Sequence, residues 1–225
     1  MSRKKQSGEG KGSLKDIQKL INQNNEILNG LIKSKIKRLN SSNIEWVSPL
    51  LEDDYAEYSD NHFISRLNIK LKKELKTFWP TRGPQWDALG KTECNEVLLI
   101  EAKANIPEIV SSGTSAKSSE SLKLINKSLE ETKAFLNIDN NIDWSNKFYQ
   151  YTNRIAHLYF LREINEISAF LVNIYFYNDS TVNGPTSKKE WLAAIEVMKN
   201  YLGVKRNKLS KYMVDLFIDV EDLSD

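Results

Sequence analysis

"VLLIEAKA", residues 97–104, begins as a buried strand and ends in charges. Its first four residues form the apolar run that is typical of a sheet covered on both faces. Glu101 and Lys103 then occupy positions where the pattern calls for apolar side chains. Because strand side chains alternate, both project from the same face. A buried charge costs several kcal/mol unless it is paired or bound to a metal, so these two residues mark a candidate site.

The strand before this one supplies a second acid. "PQWDALGK" (84–91) and "EVLLIEAKA" (96–104) predict a hairpin around the turn "TECN" (92–95). If the turn is the three residues 93–95, Asp87 lies opposite Glu101, with Cβ atoms about 4.5–5.5 Å apart. Facing carboxylates repel, and one would protonate unless a cation lies between them. A register shift by one residue would instead place the two acids on opposite faces.

The remaining pattern predicts an α/β domain with a mixed sheet. A helical pattern covers 52–78, and "NIPEIVSSGTSAKSSES" (105–121) is typical of a loop. Two helices are predicted near 120–136 and 146–164. "SAFLVNIYFYND" (168–179) and "YMVDLFIDV" (212–220) are predicted strands, with a helix at "SKKEWLAAIEVMKNYLG" (187–203) between them.

Composition limits the classes of protein and of site. The chain has 225 residues, 40% hydrophobic and 10% aromatic, enough for a sizeable core in one domain or in a domain with an appendage. No apolar run approaches the roughly 20 residues of a membrane span, and the start is no secretory signal, so we expect a cytoplasmic protein that does not enter a membrane. Cys94 is the only cysteine, which excludes an internal disulfide framework. With only His62 and His157 as further nitrogen or sulfur ligands, any metal is expected on oxygen.

The basic charge is concentrated in the first 40 residues. They contain ten Lys/Arg and three Asp/Glu, a balance of +7, whereas the remaining chain has a balance of −5. We therefore divide the chain into a basic N-terminal arm, 1–40, and a domain, 41–225. A cationic arm often contacts nucleic acid by releasing counterions, although a solubilising tip has the same composition.

Within that arm, residues 13–40 have the apolar spacing of one helix face. Ser13 is the expected cap, with Asp16 in the first turn. Asn24 falls in the apolar stripe, where a polar residue fixes the register of a coiled coil. The pattern is compatible with a homo-oligomer formed through residues 14–39, or with a helix that packs on its own domain.

Several motifs resemble one known family. "WDAL" (86–89), whose aspartate is followed fourteen residues later by the glutamate of "EAK" (101–103), resembles the core of the PD-(D/E)XK nuclease superfamily, which has the restriction-endonuclease-like fold. Over residues 44–220, "WVSPL", "DYAEY", "RGPQWDAL", "LLIEAKA" and "YQYTNRIAHLYFLRE" are similar to bacterial members of that superfamily. Pro84 departs from the motif, since it lies three residues before Asp87 instead of immediately before it.

The resemblance implies a restriction-endonuclease-like mixed central sheet flanked by helices, and an Mg²⁺- or Mn²⁺-dependent nuclease that hydrolyses phosphodiester bonds in DNA or RNA. Asp87, Glu101 and the backbone carbonyl of Ala102 would bind the metal, because hard cations prefer oxygen ligands. Lys103 would assist the attacking water or neutralise charge on the phosphate. Spacing alone also allows Glu101 and Lys103 to be a plain salt pair.

Three further residues complete the expected site. Glu57 is our choice of a further acid, because it lies between Tyr55 and Tyr58 in the acidic segment 50–63; an exposed acidic helix turn is the alternative. On the predicted helix 146–164, Gln150 and Arg154 are chosen for contacts with substrate phosphate or for supporting the site. His157 on the same helix is interpreted as a hydrogen-bonded structural residue.

A function from another class remains open: a non-catalytic module that binds nucleic acid or a partner through the basic arm. The intact set of Asp87, Glu101 and Lys103 favours the nuclease, because a module that does not cut has no need of paired carboxylates.

Overall fold

A computed structural model describes residues 3–223 and has a mixed α/β architecture: a five-stranded sheet, a small antiparallel sheet and six α-helices. The strands are β1 (Arg3–Lys4), β2 (Ile44–Ser48), β3 (Glu57–Tyr58), β4 (Ala88–Thr92), β5 (Val97–Lys103), β6 (Ala169–Tyr177) and β7 (Met213–Asp219). The helices are α1 (Ser13–Asn22), α2 (Asn25–Lys35), α3 (Asp60–Arg66), α4 (Ser119–Leu136), α5 (Tyr149–Tyr159) and α6 (Lys188–Leu202). Among the described residues, no helix is both long and apolar enough to cross a membrane.

The large sheet has the strand order β2-β4-β5-β6-β7. The pairs β2–β4 and β4–β5 are antiparallel, and the pairs β5–β6 and β6–β7 are parallel. Parallel neighbours need long crossover connections, which α4 and α5 provide between β5 and β6, and α6 provides between β6 and β7. The mixed sheet expected from the sequence is therefore confirmed.

Apolar side chains cover both faces of the sheet. Leu99 of β5 belongs to a core shared with α3, α4, α5 and α6, whereas Leu98 and Ile100 belong to a second core shared with α1 and α2. This alternation places Glu101 and Lys103 on the Leu99 face, towards α5. The sheet thus directs both charges into the layer of the longer helices.

The N-terminal arm is not confirmed, because its helices pack on the sheet. The stripe forms two helices that are interrupted at Asn24, and Gly12 instead of Ser13 occupies the cap position of α1. The Ser13 hydroxyl donates to Glu108 at 3.3 Å. The apolar residues of the stripe that are buried in the second core are Ile17, Leu20, Ile21, Leu28, Ile32 and Leu39. Oligomer formation through 14–39 stays a prediction, but most of its apolar surface is used within the chain.

The helical prediction for 52–78 is wrong over most of its length. Only α3 is an α-helix there, and Glu57 lies in β3, which pairs with β1. Asp54 and Tyr55 adopt the left-handed conformation, with φ of 53° and 49°, which ends the preceding turn instead of continuing a helix. Later elements agree better: α4 matches 120–136, and α5 continues as one π-helical turn, Phe160–Ile164.

Candidate active site

The β4–β5 hairpin has the register that the sequence predicted. Ala88 pairs with Ile100, and the Thr92 amide donates to the Glu96 carbonyl at 2.9 Å, which leaves residues 93–95 as the turn. Asp87 lies one residue before β4, and its amide donates to the Ile100 carbonyl at 3.2 Å. The recorded pairing ends at Ala88 and Ile100, so Asp87 lies just beyond the ladder, beside the part of β5 where Glu101 follows Ile100.

A third acid, Glu57, lies beside Asp87. An isolated antiparallel bridge joins Tyr58 to Trp86, which brings the neighbouring residues Glu57 and Asp87 close enough for the charge of Glu57 to act on Asp87. On the other side of Glu57, β1 contributes Lys4 as its strand partner. Glu57, Asp87 and Glu101 therefore come from three adjacent chain segments, although Glu57 is on a strand and not on the expected helix.

The carboxylates affect one another. Burial raises the pKa of Asp87 to about 8, with Glu101 and Glu57 adding to the increase and Lys103 opposing it. Burial also raises the pKa of Glu57; a hydrogen bond from Gln6 opposes this change. Without a bound cation, Asp87 is thus mostly protonated at pH 7.

Glu101 is ionised because two cations hold it. Its side chain is buried, and Lys103 Nζ lies 2.6 Å from its Oε1. On the other oxygen, Arg154 Nε and Nη2 each lie 2.6 Å from Oε2. Burial opposes ionisation, but the charges of Arg154 and Lys103 together hold the pKa of Glu101 below its usual range. The salt pair anticipated as an alternative is therefore present, with Arg154 as a further member.

Arg154 is anchored on every side of its guanidinium. Nη1 donates to Asn153 Oδ1 and Nη2 to the Gln85 carbonyl, both at 2.8 Å, and the group lies 4.9 Å from the centre of the Trp86 ring. These contacts connect α5 to β5 and to the segment that leads into Asp87. Of the two expected roles, they favour support of the site over direct contact with phosphate.

Gln150 lies between two cavities. A cavity of about 20 Å³ is lined by Glu101, Lys103 and Gln150, and a groove of about 660 Å³ is lined by Gln150 and Arg154. The smaller space is of the size that holds one water molecule. The backbone amide of Gln150 donates to Ser111 Oγ at 3.0 Å, which fixes the start of α5 between the two cavities.

Sequence reasoning missed two polar residues, Asn173 and Asp215, that continue from Glu101 across the neighbouring strands. Glu101 pairs with Asn173 of β6, and Asn173 pairs with Asp215 of β7. Asn173 Nδ2 donates to Asp215 Oδ1 at 3.1 Å, and Lys199 of α6 forms an ion pair with Asp215. The signal was available, because Asn173 interrupts an apolar strand as Glu101 does.

His157 agrees with a structural role. It is fully buried, and its Nδ1 lies 2.8 Å from the Asn153 carbonyl oxygen. Burial lowers its pKa to about 3, so the ring is neutral at physiological pH. A neutral, buried ring next to Arg154 adds no positive charge to the site.

The oxygen donors fit a hard cation in chemistry. Asp87 Oδ2 accepts a hydrogen bond from the Ala102 amide at 2.7 Å, so the backbone groups of Ala102 face Asp87. Asp87 itself precedes Ala88, the first residue of β4. The carboxylates of Asp87 and Glu101 and the Ala102 carbonyl are ligands that Mg²⁺ accepts. Across residues 3–223, no three Asp, Glu, His or Cys side chains form a group that could hold a metal ion, so the fit rests on two carboxylates and a carbonyl.

Comparisons with protein-family models, with curated proteins and with solved structures return no match to this chain. The function of the protein is therefore inferred from the site itself and from the motifs that resemble the nuclease superfamily.

Proposed function

We propose that the protein is a metal-dependent nuclease of the PD-(D/E)XK type, with a restriction-endonuclease-like fold, that hydrolyses phosphodiester bonds in DNA. The observation that carries the proposal is the position of Asp87 at the end of the hairpin: its Oδ2 accepts from the Ala102 amide at 2.7 Å, and Ala102 lies between Glu101 and Lys103, which share one face of β5. The mixed sheet with helices on both faces supports the proposed fold.

In this function, Asp87, Glu101 and the Ala102 carbonyl would hold Mg²⁺ or Mn²⁺. When bound, the metal would lower the pKa of a coordinated water molecule and stabilise negative charge on the scissile phosphate. Burial and the neighbouring charges of Glu101 and Glu57 raise the pKa of Asp87, and a bound cation would offset both effects, so Asp87 would contribute to metal affinity.

The other side chains of the site position the reacting groups or compensate charge. The Lys103 ammonium, 2.6 Å from Glu101 Oε1, would orient the attacking water or stabilise the phosphate as its negative charge increases. Arg154 fixes the Glu101 carboxylate through two short contacts to one oxygen. Glu57 adds negative charge beside Asp87, and Lys4, its partner in β1, offsets part of that charge.

One observation favours a second candidate, a catalytically silent module that binds nucleic acid or a partner. Both oxygens of Glu101 already have cationic partners, so the carboxylate is satisfied without a metal. In such a module, Asp87 would remain protonated and the site would be a structural ion-pair network.

A metal titration distinguishes the two candidates. For the nuclease, Mn²⁺ at 100 times its Kd stabilises the protein by about 2.7 kcal/mol, which raises Tm by about 5–11 °C in a chain of this size. Asp87→Asn keeps the shape of the side chain and should abolish the increase. A wild-type Tm that does not respond to millimolar Mn²⁺ or Mg²⁺ would favour the silent module.

A further inference from the structure

A groove beside the acids has two walls and a helical floor. Residues 79–85 form one wall, residues 111–118 form the other, and Tyr149, Asn153 and Arg154 of α5 lie at its base. We call this space the polar groove; its volume is about 660 Å³. Gln150 also lines the cavity of about 20 Å³ beside Glu101 and Lys103, so the two spaces are neighbours.

Backbone contacts hold both walls in place. Asp60 accepts from the Arg82 and Gly83 amides at 3.1 and 2.9 Å. Across the groove, the Thr114 amide donates to the Ser145 carbonyl at 2.9 Å, and a Cβ at Gly113 would lie only 2.8 Å from the same oxygen. The groove is therefore formed before any ligand binds.

The lining is suited to an anion. Arg82 and Lys117 contribute positive charge, whereas Arg154 is already paired with Glu101, and among the described lining residues there is no Asp or Glu. Gln85 Nε2 is a buried donor for which residues 3–223 provide no acceptor. The hydroxyl groups that line the groove are those of Thr81, Ser111, Ser112, Thr114, Ser115, Ser118 and Ser121. Cations, hydroxyls and amides are the groups that contact nucleic-acid phosphates.

The size of the groove limits its ligand. About 660 Å³ is in the range of pockets that enclose small molecules, roughly 300–1,000 Å³. A double helix, whose major groove alone is about 12 Å wide, is too thick to enter such a space. A short piece of one strand is small enough.

We propose that the polar groove binds the phosphodiester backbone of an unpaired nucleic-acid strand and leads it past Gln150 to Asp87 and Glu101. The direction of the strand rests on the proposed nuclease function, whereas binding in the groove does not. The substrate class is thus a single-stranded end or an unpaired segment, not an intact duplex.

The test measures binding without cleavage. Fluorescence anisotropy of a labelled single-stranded oligonucleotide and of the matching duplex is recorded in EDTA at several salt concentrations. The variants are Arg82→Gln/Lys117→Gln in the groove and Lys70→Gln/Lys189→Gln as a control with the same loss of charge at two exposed lysines outside the lining. Thermal melts establish that each variant is folded.

We expect the wild type to prefer the single strand over the duplex by about tenfold or more. The groove variant should lose most of that affinity, and its salt dependence should fall by about 0.7 per neutralised cation, while the control pair changes both values little. Equal losses in both pairs, no binding of the single strand, or equal wild-type affinity for the duplex would each overturn the proposal. Cleavage that persists beside any of these outcomes would leave the nuclease function standing, and groove binding without cleavage would remove only the nuclease function.

Discussion

Removing Lys103 and removing Arg154 should affect stability differently, although both side chains neutralise Glu101. Lys103→Ala leaves the carboxylate with Arg154, whose Nε and Nη2 each lie 2.6 Å from Oε2. Arg154→Ala leaves it only the Lys103 contact at 2.6 Å and also removes the bonds to Asn153 and to the Gln85 carbonyl. The comparison shows which cation supports the fold and which is available for chemistry.

The magnitudes follow from burial and from the number of contacts. Loss of one charge-assisted hydrogen bond, with the partner still paired, costs about 1.5–3 kcal/mol at most. Breaking a buried ion pair by removing one member costs about 3–5 kcal/mol, because the remaining charge is poorly compensated. We therefore expect Arg154→Ala to reduce the free energy of unfolding by about 2 kcal/mol more than Lys103→Ala.

Urea unfolding followed by tryptophan fluorescence in EDTA measures both values, with Lys70→Ala and Arg206→Ala as exposed controls that should stay within about 0.5 kcal/mol of wild type. Adding Glu101→Gln to Arg154→Ala should recover part of the loss, because it removes the uncompensated charge. If Lys103→Ala is as destabilising as Arg154→Ala, Lys103 is the structural counter-charge and our assignment of the two roles is wrong.

Two further perturbations test other parts of the structure. Burial and the Asp179 carboxylate raise the pKa of Asp16 to about 7 in the folded protein. Because the folded state holds this proton more tightly than the unfolded state, protonated Asp16 contributes its full stability below about pH 4, and this contribution is lost as pH rises to 7. The loss in the free energy of unfolding is at most about 4 kcal/mol. Asp16→Asn, which is neutral at every pH, should flatten the decline of Tm between pH 5 and 8, and an unchanged decline would contradict the shift. Deletion of residues 1–40 removes at least five side chains that are at most 2% exposed, each worth about 1.5–3 kcal/mol, so the truncated chain should lack a cooperative thermal transition. A soluble truncation that melts cooperatively would show that the rest of the chain is stable without this layer.

The sequence predicts the hairpin because its information is local. A run of apolar residues, a short turn and the alternation of side chains predict the register of β4 and β5, and the observed pairs, from Ala88–Ile100 to Lys91–Val97, have that register. The later strands and helices are also periodic enough to be predicted. The segment 52–78 is not, because its conformation depends on left-handed residues and on pairing between β1 and β3, which are 50 or more residues apart.

The residues that pair with the charged side chains of the site are also distant from them in the sequence. Arg154 is 53 residues from Glu101 in the chain, and only the packing of α5 on β5 brings them together. The sequence identified both residues, but it left Arg154 with two roles, contact with substrate phosphate or support of the site, and considered only Lys103 as a partner of Glu101. Likewise, the apolar stripe of residues 13–40 has the same pattern whether it faces a second chain or the sheet, and only the fold shows that it faces the sheet.

Cleavage of nucleic acid by the purified protein tests the central claim most directly. Labelled single-stranded, duplex and partly unpaired DNA, and a matching RNA, are incubated with wild type, Asp87→Asn and Lys103→Ala in Mg²⁺, in Mn²⁺ and in EDTA. We predict metal-dependent cleavage by the wild type, none by Asp87→Asn, and a rate reduced by about 10²–10³ in folded Lys103→Ala. The absence of cleavage by the wild type on every substrate and with either metal, or wild-type rates in both variants, would contradict the proposed function.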